Sequence, residues 1–379
     1  MSEAFAAGGS VRQTAEEPRE VRPDSQTGAL PGISVIISVI IPVRNGKAHL
    51  ARCLEALSRS EYSNFEVIVV DDCSTDETPQ IVTRYGAGYL LTPRVLGPGA
   101  ARNLGAKHAC GEVLAFVDAD VVLPPEALRL IADDFGADAQ LAAVFGSYDD
   151  EPAWPTFISQ YKNLMHHYVH QNSNELAATF WAGCGAIRRV VFEEFGGFDG
   201  ASYLAPSIED IALGLELARC GRRIRLDKRL RVKHLKRWTL RGLLRADILY
   251  RAVPWTFLIL KKRHLPRDLN LTYASRASSA LVGLLFLGVL LQALRLGGAL
   301  KISALVTLGS FVSIALLLLV LNWDVYRFFE RKRGWWFAAR AVPMHWLYYL
   351  YSGVTFGVCV VIHFIRSPAP FPPGAKVPE

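Results

Sequence analysis

The chain has 379 residues, enough for one large domain or two ordinary ones, with 42 Lys and Arg against 35 Asp and Glu for a formal charge of +7. Hydrophobic residues make up 51% of it, so the basic balance points to a membrane surface at least as strongly as to nucleic acid. Its six cysteines (Cys53, Cys73, Cys110, Cys184, Cys220 and Cys359) show no C-x-x-C spacing, which argues against a structural zinc site or a disulfide framework and fits a reducing compartment.

Residues 1–32 are rich in Ser, Glu, Gly and Pro without apolar periodicity and read as a disordered tail. They contain no signal peptide, so the domain after them is expected on the cytoplasmic side. Ile33–Ile41 is nearly continuous β-branched chain ended by Pro42. It is too short to span a membrane and reads as a buried parallel strand. Lys47–Ser58 is expected as a helix with Leu50, Leu54 and Leu57 on one stripe, Phe65–Val70 as a second strand, and Thr78–Tyr85 as a second helix. Strand–helix–strand–helix in this order implies a doubly wound, mostly parallel sheet.

Acids collect where such strands end, at the edge where open α/β sheets bind ligands. Asp71 and Asp72 close the second strand, with Ser74 and Asp76 also suited to capping the next helix. Gly97–Gly105 is a flexible loop entering a small-residue helix, from which Arg102 can reach a phosphate; its spacing is not G-x-G-x-x-G. Leu114–Val122 reads as a strand carrying Asp118 and Asp120 on one face, two hard carboxylates that suit Mg²⁺ or Mn²⁺. Gly183, in the run Phe180–Arg189, allows a ligand close to the backbone. Ser207-Ile208-Glu209-Asp210 opens a helix and is nearly a capping box.

Taken together, V-I-I-P at Val39–Pro42, V-V-D-D-C-S-T-D at 69–76, A-R-N-x-G at 101–105 and V-D-A-D at 117–120 resemble family 2 glycosyltransferases, nucleotide-sugar enzymes of the GT-A fold. The match runs over roughly residues 34–240. The resemblance implies that Asp72 holds the donor nucleobase, with Pro42 beside it. It implies that Asp118 and Asp120 reach the donor diphosphate through a divalent metal, and that Asp210 of the Glu209–Asp210 pair is the catalytic base. Processive members carry Q-x-x-R-W where this chain has His234-Leu235-Lys236-Arg237-Trp238. Arg237 and Trp238 then line the acceptor or donor pocket. His234 replaces the Gln, which speaks against processivity and makes it a candidate metal ligand, with a structural histidine as the alternative.

From 239 to 270 apolar residues alternate with arginines. Arg237, Arg241 and Arg245 form one helical row beside Leu240, Leu243, Leu244 and Ile248, as in a helix lying on a membrane surface, with a division at Pro254. Three apolar segments come next, at 277–294, 302–321 and 342–365 within 271–366, and residues 367–379 form a tail. Basic residues precede the first span (Lys261, Lys262, Arg263, Arg267, Arg276) and separate the second from the third (Arg327, Arg331, Lys332, Arg333, Arg340). That distribution puts the catalytic domain, residues 33–238, on the cytoplasmic face of the inner membrane.

The expectation is a metal-dependent, inverting, multi-pass membrane glycosyltransferase. It would move a sugar from a nucleotide-sugar donor to a membrane lipid or lipid-linked glycan, with no nucleic acid involved. The alternatives are transfer to a polyprenyl phosphate, a processive polysaccharide synthase, or a non-enzymatic membrane scaffold on the same fold.

Overall fold

A computed structural model describes residues 35–202, 207–262, 272–297 and 304–366. The tails expected over 1–32 and 367–379 lie outside these residues, as do the end of the arginine-rich segment and most of the link between the first two spans.

The first strand, β1 (Ile37–Val43), is buried along its whole length because it is apolar on both faces. It pairs in parallel with β2 (Phe65–Asp71) over all seven residues after helix α1 (Leu50–Leu57), whose Leu50, Cys53, Leu54 and Leu57 are buried. Helix α2 (Thr78–Tyr85) and strand β3 (Gly88–Leu91) come next, then helix α3 (Pro98–His108). On its other side β1 pairs with β4 (Val113–Val117), but only through Ile40. Pro42 lies beyond that pairing, so the N–H it lacks is not missed by the sheet. Helix α3 packs on β1 because Gly105 has no side chain: a Cβ there would stand 2.5 Å from Ile40 Cγ2.

The strand expected over Leu114–Val122 is broken. It ends at Val117, Asp118–Asp120 form a turn closed by the Val121 N–H donating to Asp118 O at 3.0 Å, and β5 (Val121–Val122) starts a separate pairing. Helix α4 (Ala127–Ala137), strand β6 (Leu141–Tyr148), helix α5 (Phe157–Asn172) and strand β7 (Leu176–Ala177) lead to strand β8 (Cys184–Arg188) and helix α6 (Arg189–Glu194). Helix α7 (Glu209–Arg219) and the long strand β9 (Arg223–His234) complete the nine strands, in the order β3-β2-β1-β4-β8-β6-β9-β5 with β7 on β9. The half from β3 to β4 is parallel; β8 runs antiparallel to both neighbours, so the sheet as a whole is mixed. Apolar layers cover its two faces.

Past β9 come α8 (Leu240–Asp247), a π-helical turn (Ile248–Ala252) and α9 (Val253–Lys262). The division expected at Pro254 falls at that turn, and Pro254 sits in the first turn of α9, where a missing N–H is tolerated. Helices α10 (Tyr273–Leu296), α11 (Ala304–Leu321), α12 (Trp323–Arg333) and α13 (Trp335–Arg366) complete the chain order. Among the described residues two helices, Tyr273–Arg295 and Trp335–Ile365, are long and apolar enough to cross a membrane. A third crossing results if Leu308–Leu321 counts with α12 across a 65° bend. The last helix begins seven residues before the expected Val342. These C-terminal helices pack on the α/β unit: Tyr161 and Leu164 of α5, Trp238 and Leu243 share one apolar cluster with Phe329, Ala338, Ala341 and Met344.

Candidate active site

Asp71 and Asp72 end β2 at the edge of the parallel half, both buried. Asp71 accepts the Ser74 N–H at 2.8 Å and the Tyr89 hydroxyl at 2.8 Å, which is a structural role. Asp72 accepts the N–H groups of Leu96 (2.8 Å) and Gly97 (2.9 Å) and the Thr92 hydroxyl (2.9 Å). It thereby shapes the loop that launches α3. A carboxylate offers about four acceptor positions, so roughly one is left for a ligand. Asp76 accepts the Thr78 N–H at 3.1 Å from one residue before the N-cap of α2, which is Glu77 and makes no side-chain cap bond, so the cap expected at Ser74 or Asp76 does not form.

Since Asp118 and Asp120 lie in a turn, they do not share a strand face, contrary to expectation. What holds them is long-range. The Asp118 N–H donates to Gly183 O at 3.1 Å, and Asp120 O accepts the Leu235 N–H at 2.8 Å from the end of β9. Arg102 corrects a second expectation. It is buried rather than reaching outward, and its Nη2 donates to Asp118 Oδ1 at 2.7 Å while Nη1 donates to Glu209 Oε1 at 2.9 Å. This guanidinium bridges the Asp118 turn to the start of α7. Burial raises the carboxyl of Asp118 above its ordinary range, against the pull of Arg102. Burial is the largest influence on Asp120 and pushes it up, but the hydrogen bond and charge of His234, with the charges of Lys236 and His49, together leave it below the ordinary range.

At the start of α7 the two neighbouring acids diverge. Glu209 is buried, and Oε2 accepts the Ser207 N–H at 3.0 Å while Oε1 meets Arg102. The capping box expected from Ser207 and Asp210 does not form: the Ser207 hydroxyl turns instead to Tyr250 O at 2.8 Å, pinning the π-helical turn beside this site. Asp210 is half-buried and accepts the N–H groups of Ala182 (2.9 Å) and Ile211 (2.8 Å), with no cation bonded to it among the described residues. Burial, then the negative charge of Glu209, raises its pKa to about 6. A carboxylate poised there can accept a proton near neutral pH.

Gly183 is required by the chain itself: a Cβ would lie 2.5 Å from the indole of Trp181. The close approach seen here is by Trp181. His234 is buried, stacks on Tyr148 with centroids 4.4 Å apart, and places Nδ1 2.8 Å from Asn163 Oδ1 and Nε2 3.4 Å from Asp120 Oδ2. Among the described residues no three His, Cys, Asp or Glu side chains gather as metal ligands. In this structure His234 is a partner of Asp120. Asp118 and Asp120 still fit a hard cation, because Mg²⁺ is typically held by one or two carboxylates together with substrate phosphates. Arg237 is exposed and lies 5.3 Å from the Trp154 ring, whereas Trp238 is buried in the seam with the C-terminal helices, its backbone N–H donating to Ser159 Oγ at 2.8 Å.

One cluster escaped sequence reasoning. Asp247 is buried and accepts from Lys162 Nζ (2.7 and 2.9 Å), Arg251 Nη1 (3.0 Å) and the Tyr351 hydroxyl (2.8 Å), joining α5, the π-helical turn and α13. The available signal was that Asp247 is the lone acid between Arg237 and Lys262. Tyr148, between His234 and His166 in an aromatic stack that also meets Trp181, was missed as well. It carries no sequence motif.

Comparison with known proteins agrees with this geometry. Residues 38–196 match the family model described as Glycosyl transferase family 2. The poly(ribitol-phosphate) beta-N-acetylglucosaminyltransferase TarS of Staphylococcus aureus is 38% identical over 119 residues, 29% of this chain and 21% of that protein. Chondroitin synthase of Escherichia coli is 30% identical over 114 residues, 29% of this chain and 17% of that protein. The chain thus spans about a fifth of the length of these relatives. Among solved structures, mannosyltransferase PcManGT from Pyrobaculum calidifontis, in complex with GDP-Man and Mn²⁺, superposes with a TM-score of 0.51 at 18% identity over 86% of this chain and 87% of that one. The shared architecture is the GT-A fold.

Proposed function

We propose that this chain, whose residues 38–196 match the Glycosyl transferase family 2 model, moves a sugar from a nucleotide-sugar donor to a hydroxyl of a membrane lipid or lipid-linked glycan by direct, inverting displacement. The observation that carries this reading is the divergence of the two acids at the start of α7. Glu209 is consumed by Arg102, while Asp210 is held by two N–H groups with a pKa of about 6.

In this reading Asp210 accepts the proton of the attacking hydroxyl, a contribution of typically 10²–10⁴-fold in rate. Arg102 fixes the Asp118 turn relative to Asp210. Asp118 and Asp120 hold a divalent cation, Mg²⁺ or Mn²⁺, which when bound neutralises charge on a diphosphate leaving group. His234 orients Asp120, Asp72 shapes the loop against which the nucleotide lies, and Pro42 forms the floor at the sheet edge. The GDP-Man and Mn²⁺ seen in PcManGT support a nucleotide-sugar donor and a metal. The apolar helices support placement in a membrane, and the basic residues Lys261, Lys262, Arg327, Arg331 and Arg340 support a cytoplasmic catalytic domain.

A second reading, an ionised lipid phosphate as acceptor, has one observation in its favour. Arg251, bonded to Asp247, is near enough to Asp210 for that carboxylate to raise its pKa further, and Arg237, Arg241 and Arg245 are exposed nearby in sequence. Asp210→Asn separates the two: hydroxyl transfer falls at least a hundredfold, whereas transfer to a polyprenyl phosphate survives.

A further inference from the structure

Where α5 meets the start of α13 there is an open cleft of about 320 Å³, lined by Pro155, Phe157, Gln160, Arg333, Phe337 and Arg340. We infer that this cleft holds the headgroup phosphate of an anionic phospholipid from the leaflet facing the catalytic domain.

Its polar side is cationic. The guanidinium of Arg340 lies over the Phe157 ring at 4.3 Å, exposed, with no acceptor bonded to it among the described residues. Arg333 is held in place by neutral oxygens only: Gln160 Oε1 at 2.7 Å, Lys332 O at 2.8 Å and Asp150 O at 2.9 Å. The carboxylate of Asp150 is bonded to Lys332 instead. Among the described residues no acid lines the cleft, so both arginine charges face it uncompensated. Arginine is the side chain best shaped for phosphate, through paired N–H···O bonds.

Its other walls are apolar, which favours an amphiphile over free phosphate. Phe157, Phe337 and Pro155 offer hydrocarbon where a glycerol backbone and the first methylenes lie. The position is also that of a membrane–water boundary. Trp335 and Trp336 are 68% and 62% exposed at the entry to the 31-residue apolar helix, and such tryptophans settle at headgroup level. Arg340 stands four residues beyond Trp336, one turn along and on the same side of α13. A lipid seated here touches the catalytic domain and the membrane helix at once.

The test uses the full-length protein in detergent, stripped of native lipid. Dioctanoyl phosphatidylglycerol, dioctanoyl phosphatidylcholine or inorganic phosphate is added, and bound molecules are counted by native mass spectrometry. The expected result is saturable retention of the glycerol lipid, at least tenfold weaker retention of the choline lipid and of inorganic phosphate, and at least a tenfold loss on Arg340→Gln. Arg340 is exposed and bonds no acceptor among the described residues, so this variant folds. Arg84→Gln, which removes an exposed arginine of α2 far from the cleft in the chain, should bind as the unaltered chain does. Equal retention by Arg340→Gln, equal retention of the choline lipid, or equal binding of inorganic phosphate each overturns the proposal.

Discussion

Asp210→Asn tests the chemistry most finely, because the structure gives opposite expectations for activity and stability. Asparagine keeps the size of the side chain and one acceptor oxygen but cannot take a proton from the acceptor. With a pKa of about 6, Asp210 is roughly nine-tenths ionised at pH 7 and one-tenth at pH 5. Turnover of the unaltered chain should therefore fall about tenfold across that range. Asp210→Asn should run at least a hundredfold slower at pH 7 and lose this acid limb. Stability moves the other way. The folded pKa lies above the ~3.9 of an unfolded aspartate, so Asp210 contributes stability in its protonated form below about pH 4 and loses it as the pH rises through 6. A shift of about two units is at most ~3 kcal/mol, reduced by partial exposure to ~1–2 kcal/mol. Asparagine recovers that but gives up one of the two N–H bonds, about 1 kcal/mol. The variant should thus unfold at the same temperature or slightly higher. Nucleoside diphosphate release from membranes and a thermal unfolding scan across pH 5–8 read both. More than a tenth of normal turnover at pH 7 would refute the assignment of Asp210 as base.

Arg102→Met should be the more damaging change: it strands Glu209 as an unpaired buried charge, at ~3 kcal/mol or more, and unties the partly exposed Asp118, so the protein should fail to accumulate or melt far lower. Asp247→Ala leaves Lys162 and Arg251 facing each other, so proteolysis in detergent should become faster near α13 while Asp247→Asn is milder. Ending the chain after Leu271 removes Phe329, Ala338, Ala341 and Met344 from the cluster around Trp238. That fragment should aggregate, and a soluble, donor-binding product would show that the helices are mere anchors.

The parts of this molecule that are legible in sequence are those fixed within one element. Ile33–Ile41 reads as a buried strand because both its faces are apolar, and Phe65–Val70 reads as a second strand; β1 and β2 stand there, while the roles of Asp72, Asp118, Asp120 and Asp210 are what the family resemblance implies. What was misjudged depends on partners far away. Val121 and Val122 look like a continuation of β4, but pairing with Lys233 and His234 diverts them, which puts Asp118 and Asp120 in a turn. Arg102 looks free to meet a phosphate until Glu209, 107 positions away, arrives beside it. Gly183 looks like room for a ligand until Trp181 fills it. Trp238 reads as a pocket residue, yet the helices from α12 onward bury it.

The central claim, metal-assisted use of a nucleotide sugar at the Asp118–Asp120 turn, is tested most directly by measuring donor binding to the full-length protein as protection against thermal unfolding. A panel of nucleotide sugars is added with Mn²⁺, with Mg²⁺ or with chelator, to the unaltered chain and to Asp120→Ala. A donor at a hundred times its Kd should stabilise the unaltered chain by about 2.7 kcal/mol with metal present, and protect neither the chelated protein nor the folded variant. Protection that persists undiminished in chelator, or in Asp120→Ala, would contradict the account.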